Sequence, residues 1–223
     1  MKQKILAIGT HPDDIEIGCG GTLSILNKRG YETTHVVVTS GEEGSLETPK
    51  SQTIRRRESE AKKSAKILNS SQVFFLREPD GLTTFSKETK IKLISLIRKV
   101  QPDIVFTHAK SDHFPDHQVV YQLTKSALLA AAGPWYPDAG KSPHQVKEFY
   151  GYEVWNPISE YQVAFDVSIA MKQKVEALKA HLSQTSAVDY VGAIQGLAQY
   201  RGAMTLTGKY AEVFELYRTE SFR

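Results

Sequence analysis

Two short stretches of this chain gather groups able to move protons or to bind a metal. His11-Pro12-Asp13-Asp14 follows the apolar run Lys4–Gly9, and Asp112-His113-Phe114-Pro115-Asp116-His117 follows the apolar run Asp103–Thr107. Charge of that density at the edge of a buried strand is costly unless something compensates it. A metal ion is the compensation these residue types suit. His11 and Asp14 stand three apart, at a turn or helix start, so both side chains can reach one point. His117 completes a set of two nitrogens and one oxygen, and three such ligands with a fourth position left to water make a catalytic type of Zn²⁺ site. Asp13 then stands beside the metal without binding it, placed to take a proton from the water that the metal activates.

Each stretch alone has a plainer explanation. A His-Pro turn with an aspartate capping a helix needs no metal, and Pro115-Asp116 can simply start a helix. The elements around the two stretches favour the shared site. Lys4–Gly9, Thr33–Thr39, Val73–Leu76 and Asp103–Thr107 are apolar or β-branched and are predicted as strands. Helical spacing predicts helices over Glu16–Arg29, Ile54–Leu68, Lys87–Val100 and Asp116–Ala132, with Gly30 and Gly133-Pro134 as stop signals. This alternation predicts an α/β, Rossmann-like, mostly parallel doubly wound sheet with helices on both faces. In such a sheet the first and fourth strands lie side by side where the order reverses, and ligands bind beyond their carboxyl ends. The two stretches follow those two strands. Beyond Pro134, strands over Phe149–Val154 and Gln162–Asp166 and helices over Ile169–Leu182 and Val191–Tyr200 are expected. Trp135–Val146, rich in Pro, Gly and Lys, is expected as a flexible loop near the site mouth.

Composition bounds the function. The 223 residues are 40% hydrophobic and 24% charged, which suits one α/β domain spanning 1–223. The net charge of +3 is spread along the chain. Its one dense basic cluster, Arg55-Arg56-Arg57, is followed at once by Glu58 and Glu60, the pattern of a solvated helix face and not of a nucleic-acid patch. Cys19 is the only cysteine, so no intrachain disulfide or cysteine-only metal cage can form. No apolar run reaches the length of a membrane span, and the amino terminus lacks a signal-peptide pattern, so a cytoplasmic protein is expected. Gly18, Gly20 and Gly21 come too late after the first strand for a dinucleotide loop and are expected to pack helix against sheet. His35 and His108 are expected to be structural, and Cys19 a packing residue.

These motifs together resemble the LmbE-like, or PIG-L, family of zinc-dependent deacetylases acting on N-acetylated amino sugars. The match is carried by "HPDD-E-GCGGT" (His11–Thr22), "T-GE-G" (Thr39–Gly44), Arg57 with Glu60, "PDIVFTH" (Pro102–His108) and "PDH" ending at His117. "HLSQ" (His181–Gln184), Arg201-Gly202 and "YAEVF" (Tyr210–Phe214) extend it across nearly the whole chain. The resemblance implies a Rossmann-like fold, zinc on His11, Asp14 and His117, and Asp13 as general base. It also implies Asp116 as a partner behind the metal ligands and Arg57 as a substrate contact. Many members read His-Pro-Asp-His, whose first histidine stabilises the oxyanion or protonates the leaving amine. Here Phe114 stands at that place and His113 one residue earlier, so either His113 takes the role from a shifted backbone or the chain belongs to a branch that does without it.

The expected protein is therefore a metal-dependent amidohydrolase for a small amino-sugar conjugate, using Zn²⁺ or another divalent transition metal such as Fe²⁺. No nucleic-acid partner is expected, and homo-oligomerisation is left open. A nucleotide-binding module and a non-catalytic sugar binder are the alternatives.

Overall fold

The computed structural model describes residues 2–140 and 142–219. Seven strands form one sheet in the order β3-β2-β1-β4-β5-β7-β6. β1 (Lys4–Gly9), β2 (Glu32–Thr39), β3 (Gln72–Glu78), β4 (Ile104–His108) and β5 (Glu148–Tyr152) run parallel. β7 (Ala211–Arg218) is antiparallel to β5 on one side and to β6 (Val163–Asp166) on the other. The order reverses between β1 and β4, as the strand pattern predicts.

Helices α1 (Asp14–Lys28), α2 (Lys50–Ile67), α3 (Lys87–Val100) and α4 (Pro115–Ala131) make the crossovers, and α5 (Met171–Lys179), α6 (Leu182–Thr185) and α7 (Tyr190–Thr205) follow β6. β1 shows why both faces must be covered. Its alternate side chains enter two cores: Leu6 and Ile8 join α3 and α4 residues such as Ile94 and Leu123, while Ile5 and Ala7 join Ile15, Cys19 and Leu23 of α1. Of the α1 glycines, Gly18 packs the helix on the sheet as expected, Gly21 faces Val167 and the Glu212 carboxylate of β7, and Gly20 makes only ordinary contacts with Lys174 of α5 and Leu68. A Cβ on Gly18 would lie 2.1 Å from the Tyr152 ring. Glu212 of β7 then fastens α1: its carboxylate accepts from the Gly21 and Thr22 N–H groups, both at 2.8 Å, and from Lys174 Nζ at 2.6 Å.

Three expectations change. Ile169–Leu182 is not one helix, because the chain turns at Ala180-His181 between α5 and α6. β7 is a strand that the sequence pattern does not announce, since the buried Glu212 spoils its alternation. The 135–146 connection lies away from the site. It joins α4 to β5 and so returns the chain to the amino edge of the sheet, where His144 bonds the Pro102 carbonyl. Before residue 141 the Arg98 guanidinium donates to the carbonyls of Trp135, Tyr136 and Gly140, and also to that of Gly133 just ahead of the segment.

Candidate active site

At the switch point, the turn after β1 and the first turn of α4 bring His11, Asp14 and His117 together. His11 Nδ1 and His117 Nε2 each lie 3.5 Å from Asp14 Oδ2 and 3.3 Å from one another. Ligands bound at about 2.0–2.1 Å in a tetrahedron stand about 3.3–3.4 Å apart, so this donor set fits a metal ion without rearrangement. The other ring nitrogens complete the fit. His117 Nδ1 is 2.9 Å from Asp112 Oδ2, and His11 Nε2 is 3.0 Å from Asp80 Oδ1. A carboxylate that accepts a hydrogen bond from the far N–H keeps the proton on that nitrogen and turns the lone pair of the other toward the shared point.

The electrostatics agree with a cationic occupant. Burial works against the Asp14 carboxylate, yet the imidazoles of His117 and His108 hold its pKa well below the usual range. Burial likewise opposes a charged His11, but the hydrogen bonds and charges of Asp14 and Asp80 outweigh it, raising His11 to about 10 when a proton takes the place of a metal.

Asp13 occupies the N-cap position of α1 but makes no capping hydrogen bond. Its backbone has φ 134°, a region side chains with a Cβ rarely adopt. What holds it there is Arg57, buried in the cavity wall, which donates to Asp13 Oδ2 at 3.2 Å and to the Pro12 and Gly41 carbonyls at 3.0 Å. Burial raises the Asp13 carboxyl to about 6, against the lowering pull of Arg57. Gly41 makes room for this arginine: at φ 66°, a Cβ there would lie 2.1 Å from Arg57 Nη1.

The remaining predicted residues are placed differently from one another. Asp116 accepts from the Gly81 N–H at 2.8 Å and from Thr83 Oγ1 at 3.2 Å, and stands 3.8 Å from His11 Nε2. It therefore anchors the 80–83 loop, while Asp112 orients His117. His113 is not brought to the cluster. It is exposed, and its backbone N–H donates to Asn156 Oδ1. Extended backbone at Phe114 (φ −69°, ψ 125°) turns neighbouring side chains to opposite sides, so Phe114 forms the wall, edge-on to His11 and stacked on Trp155. His35 and His144 make structural hydrogen bonds, and Cys19 is a buried packing residue with its thiol pKa pushed up by burial.

Sequence reasoning gave no role to Asp80 or Asp112. Asp112 lay within the second stretch without a stated partner. Asp80 sits in Pro79-Asp80-Gly81, which reads as an ordinary turn, and only the position of β3 in the same sheet carries it to His11.

The cavity over this cluster holds about 560 Å³. Asp13, Asp14, Glu43, Asp80, Glu153 and Glu212 all line it, and its lysine and arginine among the described residues, Lys174 and Arg57, are both engaged by protein acceptors, as is His11.

With this geometry in hand, comparisons with known proteins place the chain. Residues 6–128 match the PIG-L family, described as GlcNAc-PI de-N-acetylase, and the chain belongs to that family. The diacetylchitobiose deacetylase of Thermococcus kodakarensis is 30% identical over 191 residues, covering 82% of this chain and 70% of that protein. A 4-oxalmesaconate hydratase of Pseudomonas putida is 24% identical over 207 residues, 85% of this chain and 77% of that one. The crystal structure of a conserved protein from Thermus thermophilus superposes with a TM-score of 0.87 at 29% identity, covering 98% of this chain and 96% of that one.

Proposed function

We propose that this protein is a zinc-dependent amidohydrolase that removes the N-acyl group, acetyl in the simplest case, from an amino-sugar conjugate. The observation that carries the reading is the convergence of His11 Nδ1, Asp14 Oδ2 and His117 Nε2 within 3.3–3.5 Å, with Asp13 beside them on the cavity wall. Two imidazoles and one carboxylate suit Zn²⁺, with Fe²⁺ as the competing ion. A divalent ion held there supplies Lewis acidity, polarising the amide carbonyl and lowering the pKa of the attacking water.

The chain's own groups do the rest. Asp13 accepts the proton of the attacking water and returns it to the departing amine. Arg57 fixes its carboxylate through Oδ2, so the aim of the base is set before substrate arrives. His113 stands outside the cavity, and the second proton transfer is assigned to Asp13 as well. Arg57 and Lys174, the arginine and lysine of the described lining, are held by Asp13 and Glu212, so the cavity presents no free lysine or arginine to an anionic substrate.

That charge pattern also weighs the other readings. A polyanionic hydratase substrate or a nucleotide phosphate would find no unengaged lysine or arginine among the described lining residues. In addition, a Cβ on Gly18 or Gly21 would come within 2.1 and 2.8 Å of neighbouring side chains, so these two glycines serve packing. The test is amine release from a panel of N-acetylglucosaminides by metal-loaded protein, alongside metal analysis of His11→Ala, Asp14→Ala and His117→Ala. About one metal per chain in the parent, its loss in the variants and release of amine are expected. Full metal occupancy in all three variants would overturn the site, and a metal-loaded protein that binds the sugars without turnover would make it a non-catalytic binder.

A further inference from the structure

A second cavity, of about 640 Å³, opens beside α4 and shares no lining residue with the one over the metal-binding cluster. That volume lies in the range that encloses a drug-sized ligand. α4 packs over β1 and β4, and the sheet runs on past it to β5 and β7. Tyr121, Lys125, Leu128 and Leu129 stand at i, i+4, i+7 and i+8 of α4, one helix face, and all line the cavity. Val146 before β5, Phe149 within it, and Leu216–Arg218 at the end of β7 line it with them. Phe149 and Arg218 pair across the ladder. Lys110, just after β4, adds to the lining and donates its backbone N–H to the Tyr217 hydroxyl.

Much of this lining is apolar. The rings of Tyr121, Phe149 and Tyr217 cluster with centroids 5.0–6.5 Å apart, and Leu129 is 64% exposed. The charge on it has one sign. The side chains of Lys110, Lys125 and Arg218 have no hydrogen-bond or ion-pair partner among the described residues, and no acid is among the described lining residues. Glu215, whose charge reaches Tyr121, is taken up by Ser111 Oγ, the Lys110 N–H and the Tyr217 hydroxyl. Tyr121 is only 4% exposed, yet its hydroxyl has no partner among the described residues. A donor so placed costs free energy until an acceptor meets it.

These groups together select an occupant. Exposed apolar surface is relieved by an apolar body, and ammonium, guanidinium and hydroxyl donors suit a carboxylate. A second copy docked about a two-fold axis would set the same three cations against themselves. A neutral molecule would leave them without a counter-charge, and a cation would be repelled. We infer that this cavity binds an organic carboxylate with an apolar body of one or two rings. The carboxylate meets the Tyr121 hydroxyl and the cationic side chains, and the body lies against the aromatic cluster. Binding there needs neither a metal nor the hydrolysis proposed above.

Equilibrium dialysis of the full chain tests this with 2-naphthoate, its neutral analogue 2-naphthamide, the cation 2-naphthylmethylammonium, and acetate, which has the charge and almost no apolar body. About one naphthoate per chain is expected, with the amide about 10-fold or more weaker and the ammonium not retained. Acetate binds at least about 10-fold more weakly than naphthoate. Lys125→Glu, at an exposed position, weakens naphthoate about 10-fold or more, and Tyr121→Phe, which keeps the ring, about 3- to 10-fold. Lys63→Glu makes the same charge change at an exposed position of α2 and leaves the affinity within about twofold, which separates a local contact from net charge. An amide or acetate that binds as tightly as naphthoate overturns the inference. So does naphthoate binding that Lys125→Glu leaves unchanged, since the ligand then sits elsewhere, the metal-binding cavity included. Failure of the full chain to retain naphthoate overturns it as well. None of these results touches the amidohydrolase reading, which is decided by amine release.

Discussion

Asp13 is the residue at which folding and chemistry make opposing demands. A backbone held at φ 134° costs on the order of 1–3 kcal/mol, and the residue receives no capping hydrogen bond in return. The Arg57 contacts to Asp13 and to the carbonyl just before it hold this conformation in place. Asp13→Asn keeps the shape and removes the proton acceptor, so the variant should retain its metal while kcat falls about 10²–10⁴-fold. Near-normal turnover by a metal-loaded Asp13→Asn protein would remove Asp13 from the mechanism. The neighbouring question is His113. Because it is exposed and Phe114 takes the wall, His113→Ala should leave kcat within about twofold of the parent, whereas loss of an oxyanion donor costs about 10²–10³-fold. Steady-state kinetics on one accepted glucosaminide decides between the two magnitudes.

At the scale of elements, the site is a set of β→α turns that hold one another. The turns after β1, β2 and β3 and the start of α4 all end at the carboxyl edge of the sheet. Each is tied to another: Asp80 accepts from the Glu43 N–H at 3.0 Å, Asp116 holds Gly81, and Arg57 on α2 holds the turns after β1 and β2. Gly41→Ala strains a backbone at φ 66° and drives a methyl into Arg57. We expect kcat/KM to fall about 10²-fold through misplacement of Asp13, with metal content unchanged, as measured by kinetics and metal analysis on the same preparation. Asp112→Asn acts on the other side of the cluster. It leaves His117 without the carboxylate that fixes its tautomer, and metal affinity should drop about 10–100-fold in a chelator competition. An unchanged affinity would show that Asp112 does not orient the ligand.

For the molecule as a whole, the amino edge of the sheet carries stability and the carboxyl edge carries chemistry. Asp103, just before β4, accepts from the Lys4 N–H at 2.9 Å and pairs with Lys147 Nζ at 2.9 Å, joining the entries of three adjacent strands. Burial opposes its charge, but these two partners hold its pKa below the usual value. A carboxylate whose folded pKa is depressed contributes stability above its unfolded pKa, and that contribution is lost as the pH falls through the folded one. Asp103→Asn should therefore cost about 1 kcal/mol at pH 7, kept small by solvent screening of a partly exposed pair. The gap to the parent should close as the pH is lowered through and below about 3.9, the ordinary aspartate value. Urea unfolding at pH 7 and at pH 3 measures both, and a gap that stays constant would place the effect of the substitution elsewhere. No helix among the described residues is long and apolar enough to cross a membrane.

What the sequence determined by itself was local: which runs are buried strands, where helices begin and stop, and that His11, Asp14 and His117 follow the first and fourth strands. Apolar period and the cost of charge at a strand end are properties of neighbouring residues, so they are legible in order along the chain. The connectivity rules for parallel sheets then placed both stretches at one edge. What only the tertiary structure decided was the company those residues keep. Asp80 reaches His11 because β3 belongs to the same sheet, and Arg57, on what reads as a solvated helix face, is turned inward by the space left at Gly41. A single peptide in extended conformation sends Phe114 to the cavity and His113 to solvent. A residue before proline is held extended, so the angles at Phe114 follow from Pro115; which of the two opposed side chains meets the cavity depends on how α4 is seated against the sheet.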